Sequence, residues 1–168
     1  GVQTLDGGAG DDVLNGTWAS DTLVGGAGDD VLDGGSGADV YVFGLGDGHD
    51  VVENYDHRWR DDVIRFSQGV APSMVSLSRS GDDLVFLVGG SDSLTLRGAY
   101  RDSWRYVGRV EFADGTVWTP ESMRDMVVTR VEGTDGDDVL NGYSSGEFFN
   151  GVQTLDGGAG DDVLNGTW

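Results

Sequence analysis

Six aspartates in one register, Asp12, Asp21, Asp30, Asp39, Asp138 and Asp162, are the residues of this chain best placed to do chemistry. Each holds the sixth place of a nine-residue unit whose first, second and fourth places are mostly glycine. Gly7-Gly8-Ala9-Gly10-Asp11-Asp12-Val13-Leu14-Asn15 is followed by units at 16–24, 25–33 and 34–42, and the unit recurs at 133–141 and 157–165. A hard dication such as Ca2+ takes about six to eight oxygen ligands. A Gly-Gly-x-Gly-x-Asp turn offers one carboxylate together with backbone carbonyls, which the permissive backbone of glycine can aim inward. The candidate ligand set is therefore the six aspartates with the turn residues Gly8, Gly10, Gly26, Gly28, Gly158 and Gly160.

The elements that position these turns follow from the eighth place, filled by Leu14, Leu23, Leu32 and Tyr41. Each unit reads as a tight turn and then a short strand with one inward apolar residue. If two units close one full turn of a parallel β-roll, aspartates two units apart stack on the same edge. That pairs Asp12 with Asp30 and Asp21 with Asp39. The same logic pairs Asp138 with Asp162, although residues 142–156 do not fit a period of nine. The turn Gly16-Thr17-Trp18-Ala19-Ser20-Asp21 lacks glycine at its second and fourth places, which predicts a weaker or more strained site.

The charge distribution agrees with cation recruitment. Of 168 residues, 30 are Asp or Glu and 10 are Arg, with no Lys and no Cys, for a formal charge of −20. All ten arginines lie between Arg58 and Arg130, where ten acids balance them. Residues 1–57 and 131–168 hold the other twenty acids and no basic residue, so the imbalance is confined to the flanks. Such segments recruit cations or stay expanded. Thirty glycines against two prolines point to a periodic chain rather than a collagen or a plain disordered one. Without disulfides, metal ions are the remaining staple for a thin core. The apolar runs, Leu84 to Val88 among the longest, are too short to span a bilayer, so no transmembrane segment and a soluble fragment are expected, with any targeting signal outside it.

Between the flanks the text changes. Val63 to Phe66, Val75 to Ser78, Leu84 to Val88, Leu94 to Leu96 and Val110 to Phe112 are β-rich runs, several of them separated by glycine-aspartate turns. Thr119 and Pro120 then open a short helix with Met123, Met126 and Val127 expected on one face, covering the small sheet. The expected fold is mainly all-β: a parallel β-roll in residues 1–56, a small antiparallel β domain with one short helix in 57–130, and a second roll segment in 131–168.

Other constellations are weaker. His49 and His57, the two histidines, stand beside no Ser or Cys arrangement that suggests a nucleophile and its base. Asp61-Asp62 and Asp82-Asp83 are adjacent in sequence and so point to opposite faces of a strand, unlike a catalytic pair. Arg58-Trp59-Arg60, and Arg101 to Arg109 with Trp104 and Tyr106, superficially resemble nucleic-acid platforms. Against a net charge of −20, pairing with local carboxylates is the better reading, and no nucleic-acid partner is expected. The same aromatics could form a shelf for carbohydrate, which stays as a second ligand class.

A longer repeat is also present. Gly151 to Trp168 reproduces Gly1 to Trp18 residue for residue, at an offset of 150. This suggests a tandem array of near-identical units of that length, with a duplication made by design as the alternative origin. Neighbouring copies of the repeat, meeting end to end, are then expected partners.

The nonapeptides Gly7 to Asn15, Gly25 to Asp33 and Gly34 to Val42 resemble the repeats-in-toxin (RTX) haemolysin-type calcium-binding repeats. The stretches Tyr41-Val42-Phe43, Gly46-Asp47-Gly48-His49-Asp50, Leu77 to Leu84 and Phe112 to Thr116 look like the companion domain that accompanies them. The resemblance implies Ca2+ as cofactor, export by a type I secretion system, folding in extracellular calcium, and a place in a toxin, a secreted hydrolase or a giant surface adhesin. Two readings follow from residues and resemblance together. One is a repeated extender or fibre segment, not an enzyme, of a large secreted or surface protein. The other is the calcium-dependent folding and secretion domain of a toxin or hydrolase. The duplication favours the first.

Overall fold

A computed structural model of the chain describes residues 1–55, 61–101, 106–142 and 152–166. The glycine turns throw the backbone back and forth between two faces. Strands β1 (Thr4–Ala9), β3 (Thr22–Ala27) and β5 (Val40–Phe43) build one parallel sheet, and β2 (Val13–Thr17), β4 (Val31–Gly35) and β6 (His49–Val52) build another. In the first, Leu5 aligns with Leu23 and Leu23 with Tyr41; in the second, Leu14 aligns with Leu32 and Leu32 with Val52. The two rows face each other as the inner lining of a β-roll, and Leu23, Leu32, Tyr41 and Val52 are fully buried.

The boundary expected between residues 56 and 57 falls between β6 and β7 (Val63–Phe66), and both sheets run through it. β7 pairs in parallel with β5, aligning Tyr41 with Ile64, and β11 (Arg109–Glu111) pairs in parallel with β7. β12 (Val117–Trp118) closes that sheet as an antiparallel hairpin. On the other face, β8 (Val75–Ser80), β9 (Asp83–Val88) and β10 (Asp92–Leu96) form an antiparallel meander whose last strand pairs in parallel with β6. Between the two sheets Phe43, Phe66, Phe86, Phe112 and Trp118 form the thickest part of the core, with Phe112 and Trp118 ring centroids 4.7 Å apart. The thin roll thus leans on a better packed body built from the same sheets.

The helix α1 (Pro120–Met126) packs against β8 and begins as the sequence predicts. The Thr119 side chain accepts from the Ser122 main-chain N–H, Ser122 reciprocates, and Pro120 needs no donor there. Its buried face differs from expectation. Met123 and Val127, four apart, are buried, whereas Met126, at the end of the helix, is 41% exposed. Removing the cap with Thr119→Ala should cost about 1 kcal/mol, read as a lower urea midpoint in calcium with unchanged calcium binding.

Beyond the helix a second roll segment begins. β13 (Val128–Glu132) and β15 (Val152–Asp156) extend the meander sheet in parallel, and β14 (Val139–Asn141) pairs with β16 (Val163–Asn165). Leu164 keeps the eighth place but is 47% exposed on its edge strand. No helix among the described residues is long and apolar enough to cross a membrane.

Candidate metal centre: stacked columns of aspartate turns

The turns stack into columns, and each aspartate reaches the next turn. In one column the main-chain N–H of Asp12 donates to Oδ1 of Asp30 at 2.7 Å, and that of Asp30 donates to Oδ1 of Asp50 at 3.0 Å. In the other, the N–H of Asp21 donates to Oδ1 of Asp39 at 2.7 Å, and that of Asp39 to Oδ1 of Asp62 at 2.8 Å. A third stack has Asp138 N–H donating to Oδ1 of Asp162 at 3.0 Å. The three expected pairs are therefore neighbours in space, the last across an offset of 24 rather than 18.

One oxygen of Asp30, Asp50, Asp39, Asp62 and Asp162 is committed to these bonds, and the second oxygens distinguish the turns. Oδ2 of Asp30 and Oδ2 of Asp50 are buried with no hydrogen-bond partner. An orphaned carboxylate oxygen costs about 1–3 kcal/mol or more. A cation offsets that cost. By contrast, Oδ2 of Asp21 accepts from both the main-chain N–H and the hydroxyl of Thr17, each at 2.8 Å. Oδ2 of Asp138 accepts likewise from Thr134, at 2.6 Å from the N–H and 3.0 Å from the hydroxyl.

The glycines bring carbonyls to the same place. Gly26 and Gly28 have φ of 96° and 146°, in the left-handed region that Gly8, Gly10, Gly158 and Gly160 also occupy. A β-carbon on Gly26 would lie 2.1 Å from the Gly8 carbonyl oxygen, and one on Gly28 would lie 2.3 Å from that of Gly10. Those carbonyls face the stacked turn that carries Asp30. Among the described residues no three carboxylates or imidazoles gather as a metal cluster. A cation here must take most of its oxygens from the main chain, an all-oxygen donor set that suits Ca2+.

The electrostatics point the same way. Burial pushes the Asp50 carboxyl up to about 7, and the charges of Asp30, Asp47 and Asp29 add to the rise. Asp47 is raised by burial and by Asp92 and Asp30. Burial alone would raise Asp21 too, but the hydrogen bonds from Thr17 and Gln3 hold it below the usual carboxylate range. Asp50 and Asp47 thus lack compensation for their charge, whereas hydrogen bonds supply it for Asp21.

Sequence reasoning missed Asp50 and Asp62 as members of the columns. Gly48 continues the stack, bridging to Gly28 with φ of 94°, so the spacing Gly46-x-Gly48-x-Asp50 was the available signal. Asp62 has no glycine turn before it in sequence, and Asn54 Nδ2 donates to its second oxygen at 2.7 Å. His49 does meet a serine: its Nδ1 lies 3.0 Å from Ser93 Oγ. That contact joins cross-strand neighbours on an exposed face, outside the cavity of about 450 Å³ lined by Arg65, Phe66, Glu111 and Phe112. Described arginines pair with carboxylates: Arg65 and Arg109 with Glu111, Arg97 with Glu53, Arg101 with Asp82. Tyr106 is buried rather than displayed. His57, Arg58-Trp59-Arg60 and Trp104 lie outside the described residues.

The description "RTX calcium-binding nonapeptide repeat (4 copies)" matches residues 4–22, 15–50, 129–151 and 149–168, and "Haemolysin-type calcium binding protein related domain" matches 83–122. The chain belongs to the RTX calcium-binding repeat family. RTX repeats bind Ca2+, so Ca2+ is the cofactor and this is a calcium-binding module. When bound, the ion supplies the positive charge that the aspartate columns lack. The chain is 39% identical over 114 residues to the iron-regulated protein FrpA of Neisseria meningitidis serogroup C, covering 62% of this chain and 10% of that protein. It thus spans about a tenth of that relative's length. Among solved structures, extracellular lipase LipA from Serratia marcescens aligns with a TM-score of 0.46 at 17% identity, over 95% of this chain and 28% of the lipase.

Proposed function

We propose that this RTX module is a structural extender of a large secreted or surface protein, repeated in tandem and folded by extracellular calcium, and that it performs no catalysis. The carrying observation is the in-register parallel pairing of β13 with β15. Residues 152–156 have the sequence of residues 2–6, so β15 is the counterpart of β1 in a following unit. The contacts there repeat those inside the roll. Asp161 N–H donates to Asp137 Oδ1 at 2.9 Å, as Asp29 N–H does to Asp11 Oδ1. Arg130 adds an ion pair to Asp156 at 2.7 Å. Asp162 on one side, and Asp12, Asp30 and Asp39 on the other, then belong to one calcium-threaded array.

The edges support continuity as well. β15 lies at the edge of the eight-stranded sheet, while β1 lies at the edge of the six-stranded one. A following unit would therefore continue the eight-stranded sheet of the unit before it into its own six-stranded sheet. A stalk gains length from each copy in this way, and each copy contributes its own core and its interface. Small-angle scattering of proteins with two and four units in calcium tests the reading. Maximum dimension should rise in proportion to unit number. Sublinear, chain-like growth would indicate beads on flexible joints and defeat the extender.

A further inference from the structure

We infer that threonine at the second place closes a turn to calcium, so that the turns of Asp21 and Asp138 are held by their own threonine while Gly-Gly turns take the ions. This rests on the calcium reading of the Gly-Gly turns and divides the six candidate aspartates into two classes. Thr17 and Thr134 stand in separate parts of the chain, yet each donates both its N–H and its hydroxyl to Oδ2 of the aspartate four residues on. Each hydroxyl also accepts a main-chain N–H from the fourth place of its turn, Ala19 or Gly136, at 3.2 Å. The oxygen left orphaned in Asp30 is thus doubly satisfied in Asp21 and Asp138. An ion could reach it only by displacing both bonds.

The backbone differs in the same sense. Second- and fourth-place glycines of the Gly-Gly turns are left-handed, whereas among the described residues no non-glycine residue has a positive φ, and Gly136 is not left-handed either. The second-place carbonyls of both turn types face the next turn alike, so the threonine bonds to the aspartate are what set the Gly-Thr turns apart. Stacking explains where threonine is allowed. A β-carbon on second-place Gly35 would lie 2.1 Å from the Thr17 carbonyl oxygen, and one on Gly158 would lie 2.4 Å from that of Thr134. Threonine fits only in a turn with no described turn stacked before it. Each closed turn is then calcium-independent and already shaped to receive the turn that follows.

Thr134 gives the cleaner test, because Gly133, Gly136 and Asp138 already satisfy the rest of the Gly-Gly-x-Gly-x-Asp pattern. Calcium chloride is titrated calorimetrically into the full chain, with circular dichroism confirming the fold. Thr134→Gly should bind one more Ca2+ per molecule than the unsubstituted chain, and Thr134→Ser, which keeps the hydroxyl, should bind the same number. Asp138→Asn leaves an amide oxygen for Thr134 to donate to and should not change the count. No gain in a folded Thr134→Gly chain, or loss of an ion in Asp138→Asn, overturns the lock. If Thr134→Gly does not fold, the Asp138→Asn count decides alone. Absence of calcium binding by the unsubstituted chain would overturn the calcium reading of the Gly-Gly turns, and the lock with it.

Discussion

Chelation with EGTA should abolish most of the strand signal of this chain in far-ultraviolet circular dichroism at neutral pH, and excess calcium should restore it. Magnesium should restore little, because it demands a tighter octahedral shell and gives up its water reluctantly. The size of the effect follows from the columns. Stacked strands bring like residues to about 4.8 Å, where two carboxylates at an effective dielectric of about 20 repel by about 3 kcal/mol. Asp12, Asp30 and Asp50 make two such neighbours, and Asp21, Asp39 and Asp62 make two more. Their total is comparable to the whole stability of an ordinary domain, about 5–15 kcal/mol. No basic residue occurs in residues 1–57 to relieve it. The sign of the pH dependence follows from Asp50, whose folded pKa is raised to about 7. Without calcium the folded state holds that proton while the unfolded state has released it, so stability falls as pH rises from the ordinary carboxylate value through about 7. Residual structure in EGTA should accordingly be greater at pH 5 than at pH 8. A spectrum unchanged by chelation at neutral pH would reject the account.

What could be read beforehand was whatever repeats. The nonapeptide period placed β1 to β5, the inward row of Leu23, Leu32 and Tyr41, and the neighbours Asp12 and Asp30. Periodicity is legible because every turn meets the same neighbour at the same height, so each position is constrained in the same way. The columns became illegible where spacing broke, at 20 residues from Asp30 to Asp50 and 23 from Asp39 to Asp62. Pairing across a sheet does not require equal arc lengths between strands, only equal height, and a sequence displays arc length. For the same reason the text change near residue 57 gave no hint that β5 to β7 and β6 to β10 join the roll to the central block. The threonine bonds escaped notice for another reason. Gly16-Thr17 read as a turn that had lost its glycine, and only the hydroxyl's position showed that Thr17 supplies the donors its aspartate needs.

Asp30→Ala should weaken calcium binding and lower stability far more than Asp33→Ala, although the two aspartates are three residues apart. Asp30 is 1% exposed, its Oδ1 accepts the Asp12 N–H, and its Oδ2 is the orphaned oxygen at the proposed ion position. The substitution strips an acceptor from a buried amide and removes a carboxylate from the ion, a loss of about 2–4 kcal/mol in calcium. It also removes one of the charges that raise Asp50, so Asp50 should ionise more readily in the variant. Asp33 holds the ninth place, is only partly buried, and its Oδ1 accepts the Gly35 N–H at 2.9 Å within its own turn. Its loss removes one local bond, about 0.5–1.5 kcal/mol, and leaves the column intact. Calcium titration and urea midpoints at fixed calcium separate the two variants. Equal losses of calcium affinity would mean that the sixth place is not the ion's edge, and would shift the register on which the whole column rests.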